Sequence, residues 1–489
     1  MNYGEKQMDF RLSSINQKMK INKMASLSRN SLVVLLMGLS EICLSQTVSM
    51  YSYNTFLSSV KEMNPLSKKA ENNIIYGGAQ LKAAKGNFDP QLGTNIESKQ
   101  FNSSNYFTYV NAELKQPLYT SQYLKVGYQY GKGIFINPEL LTPLVGLPYV
   151  GIEASLLQGL MFDKRRADVV KAKHYSEYFS AEQKIQMNDL MFYASNVYVD
   201  ALYTKKINSL FSYFATLAAQ RLKGISELSV VGERPTIDTV EAAIFLQSRL
   251  LDRQVGEIEM IKKLNELAII NPMSSTLSLS NMNITDSLEQ VYSLTIKNIQ
   301  QTIINEQNTN PLISQYLAKQ KVLETEKRLK REMIKPVLDL SYNFLNTSND
   351  IIFPTLNTNN YKWGASFSFP LFLRKPRNEY KMADLDAKNN ELETINKQNQ
   401  INFKRKYIIE TIKVTAEQIV NAERSAAYSR LLVEAERLKF TNGESSLFLL
   451  NSRESKWLET ELKLAEFKLK FVKNFIELTY INGDLKYEL

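Results

Sequence analysis

The chain has 489 residues, 44% hydrophobic and 22% charged, with only 18 glycines and 13 prolines; this excludes a disordered chain and favours long uninterrupted helices over a loop-rich enzyme scaffold. A single cysteine and a single histidine, Cys43 and His174, are too few for a zinc, iron–sulfur or Cys/His nucleophile site. No Walker A loop or Rossmann glycine fingerprint is present, so no catalytic residue, metal or cofactor is expected. The formal charge of +10 is spread along helical stretches, which reads as a solvated surface rather than a nucleic-acid footprint.

In chain order, the first element is a leader. Leu32–Leu39 is a short apolar run preceded by Arg29 and several lysines and followed by Ser-Glu-Ile-Cys-Leu-Ser. A basic start, an apolar core and small residues at Cys43 and Ser45 make residues 1–45 an export signal cleaved after Ser45. Lipid attachment at Cys43 is the weaker reading, because Glu41 and Ile42 are not the small residues it requires. Translation is expected to start at Met24, since the preceding stretch is polar and over-long for a leader. Beyond it, no stretch has the 18 apolar residues of a membrane helix, so any later membrane contact must be made by β-strands.

Two related halves follow, 46–269 and 310–489, separated by a segment over 270–309. Asn64-Pro65-Leu66 recurs as Asn310-Pro311-Leu312, and Pro90-x-Leu92 recurs as Pro336-x-Leu338. Asparagine caps a helix and proline suits its first turn, so each Asn-Pro opens a helix of about 24 residues. Each helix then gives way to extended chain. In the second half, Leu338, Leu340, Tyr342 and Phe344 alternate with polar residues, and Tyr361, Trp363, Ala365, Phe367 and Phe369 do so again after a loop over 346–360. A period of two with one aromatic-rich face suits a lipid-facing barrel strand, although a half-buried strand in a soluble sandwich has the same pattern. In the first half Val150, Ile152, Ala154 and Leu156 match the second of these strands. Between its strands the first half carries about 33 extra residues within 102–145, either an added hairpin or a folded external loop.

After each second strand comes a long stretch without proline, 162–229 and 377–440, each ~100 Å long at the helical rise. Ile408, Ile412, Thr415, Ile419, Ala422, Ala426, Ser429 and Val433 recur at steps of three and four. That is coiled-coil spacing with small residues, suited to a close-packed wall of helices. Each long helix ends in a glycine turn: Gly232-Glu233-Arg234-Pro235 leads into Asp238 and Glu241, and Gly443-Glu444-Ser445-Ser446 leads into Leu449 and Ser452. Return helices over 236–268 and 447–482, each stacked on an Asn-Pro helix, match the length of one long helix. The polar segment 271–286 is expected as a belt at that junction.

Taken together, the duplicated Asn-Pro and Pro-x-Leu, the Leu156-Leu-Gln-Gly-Leu160 stretch before Asp163-Lys-Arg-Arg-Ala167, and the two Gly-Glu turns with Asp238-Thr-Val-Glu-Ala242 resemble the TolC-like outer-membrane efflux proteins over the whole mature chain. The resemblance implies an α+β membrane protein: a homotrimer whose four strands and four helices per subunit close into a 12-stranded β-barrel in outer-membrane lipid and a 12-helix α-barrel in the periplasm. It implies a passive exit duct of a tripartite efflux or type I secretion system, with a periplasmic adaptor docked on the tips and an inner-membrane RND or ABC pump supplying the energy. An exported coiled-coil scaffold without a pore is the alternative. By the same resemblance, the docking and aperture residues are Gly232, Glu233, Pro235, Asp238, Glu241, Phe440, Gly443, Glu444, Leu449 and Ser452. Family members carry an anionic ring where this chain has Leu449 and Ser452, so a more apolar constriction is expected, with Glu444 or Glu454 as the nearest charges. Phe440 lacks the hydroxyl that would bond the first tip near Asp238.

Overall fold

A computed structural model describes residues 49–271, 282–304, 310–346 and 356–483. The leader over 1–45, with Met24 and Cys43, lies outside the described residues, as do most of the polar belt and the centre of the loop over 346–360.

Two very long helices organise the chain: α3 (Lys164–Val230, 67 residues) and α7 (Arg374–Thr441, 68 residues), each ~100 Å. Helix α7 begins three residues earlier than the sequence suggests, because Pro376 falls in the first turn, where its missing N–H has no intrahelical partner to lose. Against α3 run α2 (Pro65–Lys85) and α4 (Thr236–Ile270). Against α7 run α6 (Pro311–Glu332) and α8 (Leu447–Asn482). The Asn-Pro signals explain the end-to-end stacking. The Asn64 side chain accepts from the Leu66 N–H at 2.8 Å and donates to the last turn of α4 at the Ile270 carbonyl, 2.7 Å away. Asn310 repeats both bonds, to Leu312 at 2.8 Å and to the Ile481 carbonyl of α8 at 2.6 Å. One residue thus caps one helix and ties off another, satisfying orphan groups on both.

The result is a wall of four columns in the order α4/α2, α3, α8/α6, α7. All eight residues of the three-four series from Ile408 to Val433 are buried, and the series continues through Glu436 to Phe440. The densest core lies at mid-height. There α1 (Tyr53–Met63) and α5 (Leu288–Ile304) pack on the wall, and β1 (Ser49–Tyr51) pairs in parallel with β6 (Met282–Ile284). Burial pushes the Tyr53 phenol well above its usual pKa, while its hydroxyl donates to Ser195 at 2.9 Å. Across the same level Lys468 bridges Glu289 of α5 (2.7 Å) and Glu423 of α7 (3.1 Å). A belt over 271–286 was expected at this junction, and β6 lies within it; helix α1 was not foreseen.

At the far end of the wall is one antiparallel sheet. Its strands are β2 (Gln91–Phe101), β3 (Ser104–Pro117), β4 (Gln122–Lys132), β5 (Leu147–Ser155), β7 (Val337–Asn346) and β8 (Leu356–Ser368), paired in that order. Four strands per chain was the expectation for the barrel; among the described residues this sheet has six. The extra stretch of the first half resolves as an added hairpin, β3–β4, inserted between β2 and β5. Its sequence permits this because Val110, Ala112 and Leu114 on β3, and Leu124, Val126 and Tyr128 on β4, alternate with polar residues as the other strands do. Among the described residues no helix is long and apolar enough to cross a membrane, and no cluster of potential metal ligands occurs.

Candidate functional site

The end of the wall remote from the sheet brings both helical turns together. Each follows the same geometry. Gly232 and Gly443 sit at φ +81° and +78°, the left-handed region that glycine enters without Cβ strain. The following Glu233 and Glu444 N–H groups donate back to Leu228 and Lys439 carbonyls, both at 2.9 Å, closing the orphan ends of α3 and α7. Helix α8 then restarts from Ser446, whose hydroxyl accepts from the Leu449 N–H at 3.3 Å. A small core joins the tips: Ile225 of α3, Ala242 of α4, Phe440 of α7, and Leu447 and Leu450 of α8.

Polar links cross the same junction. Arg221 of α3 pairs with Glu454 of α8, and donates to Asn451 Oδ1 at 2.5 Å. Asn451 donates in turn to Glu241 of α4 at 3.2 Å. Arg437 of α7 reaches Glu454 at 3.3 Å, and the Ser445 hydroxyl donates to Glu436 at 2.5 Å. Glu454 is only 1% exposed. It is therefore a buried tie between three helices, not an aperture charge as the sequence suggested. A further link between the tips passes through Phe440. Its ring has no hydroxyl, yet its backbone carbonyl accepts from Arg234 Nη2 at 2.9 Å, and the guanidinium lies 4.4 Å from the ring centroid. The two tips are bonded after all, through an arginine of the first turn.

Gly232, Glu233, Pro235, Gly443, Glu444, Leu449 and Ser452 are exposed at the tip, Asp238 and Glu241 are half-buried near the start of α4, and Phe440 is buried. Glu241 and Ser452 line one open groove between α4 and α8. Sequence reasoning missed Arg221, Arg234, Glu436 and Asn451. Glu436 was detectable: it falls on the buried three-four series of α7, where a carboxylate needs a partner. It also missed the exposed apolar residues here, Val230, Val231, Ile237 and Phe448, of which Phe448 is 72% exposed.

At the sheet end, the strand residues singled out in the sequence share one face. Leu338 opposes Phe367, Tyr342 opposes Trp363, and Phe344 opposes Tyr361; Leu340 faces Ala365, and Phe369 lies just past β8. Trp363 and Phe367 are 65% and 68% exposed. The face continues across all six strands in one row, Leu92–Leu114–Val126–Val150–Phe344–Tyr361. The other face carries Glu113, Lys115, Lys125 and Glu153, with Lys115 and Lys125 at 3.2 and 2.5 Å from Glu153. Below it, Asp163 caps α3 and holds Arg165 and Arg166 at 3.0 and 2.7 Å. Burial alone would raise the Asp163 carboxyl, but the two arginines and the Arg166 N–H outweigh it and hold it below the usual range.

No protein-family model and no curated protein matches the sequence. Solved structures do match in three dimensions. The CmeC outer-membrane channel of Campylobacter jejuni is 13% identical, with 88% of this chain and 85% of that one covered at a TM-score of 0.63. For the outer-membrane protein VceC of Vibrio cholerae the values are 11%, 88%, 96% and 0.62. For the open state of the Neisseria gonorrhoeae MtrE outer-membrane channel they are 12%, 88%, 88% and 0.62. Superposed along almost their whole length on a helical wall ending in a strand sheet, these structures give the chain the TolC-like outer-membrane channel fold.

Proposed function

We propose that this protein is a passive exit duct through the outer membrane, serving a tripartite efflux or type I secretion system. The observation that carries this reading is the sheet: six strands with one continuous apolar, aromatic-rich face, mounted on a helical wall ~100 Å tall. A face of that kind, exposed at the end of a water-soluble wall, suits lipid. The fold likeness to outer-membrane channels supports it.

In this reading three copies stand side by side. The two lateral columns support that arrangement, because each exposes an apolar seam. Ile237, Val240, Ile244, Leu251, Val255 and Ile258 run down α4 at steps of three, four and seven, and Phe403, Tyr407 and Val414 run down α7. Such seams suit packing of one copy's α7 on the next copy's α4. The tips then form the inner aperture and the docking surface of a periplasmic adaptor, which couples the duct to an RND or ABC pump. The Arg221–Glu454 and Arg234–Phe440 links hold the aperture closed, and adaptor binding opens it by favouring the unlinked arrangement.

Fractionation tests the whole reading. The protein is expected in the outer membrane, as trimers that dissociate only on heating, and its deletion is expected to abolish export by the cognate pump. Recovery in the soluble fraction would instead favour a coiled-coil scaffold without a pore.

A further inference from the structure

The β3–β4 hairpin changes what three copies of this chain can build. We infer that each copy contributes six wall strands, so the barrel closes with 18 strands, β8 of one copy pairing with β2 of the next. The inference rests on the trimeric duct proposed above and goes beyond it in strand number, register and bore.

The hairpin is built into the wall. It pairs on both sides, β3 with β2 over Ser104–Lys115 and β4 with β5 over Gln122–Gln129, with Leu92 facing Leu114, Leu114 facing Val126 and Val126 facing Val150. Its inner turn is anchored where sheet meets helices. Gln116 donates to the Phe88 carbonyl at 2.9 Å, just past α2, and Arg166 of α3 donates to Ser121 at 2.8 Å. Ion pairs on the polar face tie β3 and β4 to β5 through Glu153. A loop folded outside the barrel would have neither the alternation nor these anchors.

The edges then specify the partner. β2 and β8 are the sheet's two ends, and β2 is exposed along all eleven residues. Unpaired edges of this length seek another strand, and in lipid an unpaired edge is intolerable. With an even number of antiparallel strands, β2 and β8 run in opposite directions, so a second copy of this chain pairs antiparallel at every junction.

Width supports the count. Six strands ~4.8 Å apart, tilted ~40°, cover ~38 Å of circumference; four would cover ~25 Å. Four helical columns 8–10 Å apart occupy ~32–40 Å. Six strands therefore match the helical wall below them. Three copies give a barrel ~36 Å across, of the size that leaves an aqueous lumen, lined by the face that carries Glu113, Lys115, Lys125 and Glu153.

Disulfide scanning tests this in the full chain with Cys43→Ser as background. Asn95→Cys on β2 is combined in turn with Asn360→Cys, Lys362→Cys, Ser366→Cys and Ser368→Cys on β8, which samples the junction register. Covalent trimers on a denaturing gel are expected for at least one pair. Asn95→Cys with Leu147→Cys is the opposing arm. These positions lie on one row but three strand spacings apart, ~14 Å, beyond disulfide reach. An intrachain Asn95–Leu147 link, or heat-modifiable trimers with no β2–β8 link at any position, overturns the 18-strand closure while leaving the duct intact. Absence of trimers in every variant, and in the parent chain, overturns the duct reading itself. Counting strands in electron-microscopic images of the detergent-purified parent is the second measurement: 18 is expected, and 12 sinks the proposal.

Discussion

Glu454 is a buried carboxylate that ties three helices together at the tips. It is enclosed by Arg221 and Arg437, and removing one partner of such a pair leaves the other charge buried, at a cost of ~3–5 kcal/mol. Arg221→Ala is expected at the lower end, about 3 kcal/mol, because Arg437 still reaches Glu454. The same variant is expected to raise single-channel conductance in planar bilayers by loosening the tips; unchanged conductance would mean the pair is structural only. A second residue-scale expectation concerns charge at the aperture. With Leu449 and Ser452 at the exposed second tip, trivalent cations added on the periplasmic side are expected to leave the current unchanged. Leu449→Asp should create a block, since a ring of carboxylates binds such ions. Strong block of the parent protein would contradict the apolar constriction.

At the scale of elements, caps and turns carry the argument. Gly443 sits at φ +78° with nothing near an added Cβ, so Gly443→Ala isolates backbone strain, expected at ~1–2 kcal/mol in thermal melts. Asp163 opens one of the two very long helices and pairs with two arginines. Because its carboxyl is held below the usual range when folded, its contribution is present above the unfolded value near ~3.9 and is lost as pH falls through the depressed folded value. Asp163→Ala is therefore expected to lower the melting temperature at neutral pH, and to narrow its gap from the parent below about pH 4. A constant gap across that range would show that the cap, not the charge, matters.

For the whole molecule, the proposed trimer rests on the seams of α4 and α7. Ile258 is 65% exposed in the single chain. Placing a charge there, as Ile258→Asp, is expected to remove heat-modifiable trimers without unfolding the wall, which circular dichroism would verify; persistent trimers would place the subunit contact elsewhere. The strand count belongs to this scale too, since a sheet of six strands acquires a closed edge only in company.

Much of this was legible in the residue order. Local periodicity dictated the long helices and the alternating strands, because each needs only its own 3.6- or two-residue repeat to be recognised. The Asn-Pro caps and glycine turns marked where columns begin and reverse, since they depend on backbone conformations that few residues favour. Tertiary structure alone decided the rest. Whether the β3–β4 stretch joined the wall depended on register with strands far away in sequence, and alternation cannot supply register. That Glu454 is buried while Glu444 is not, and that Arg234 reaches Phe440, depended on which columns meet at the tip. Those contacts join residues more than 200 positions apart, so their chemistry becomes visible only when four helices stand side by side.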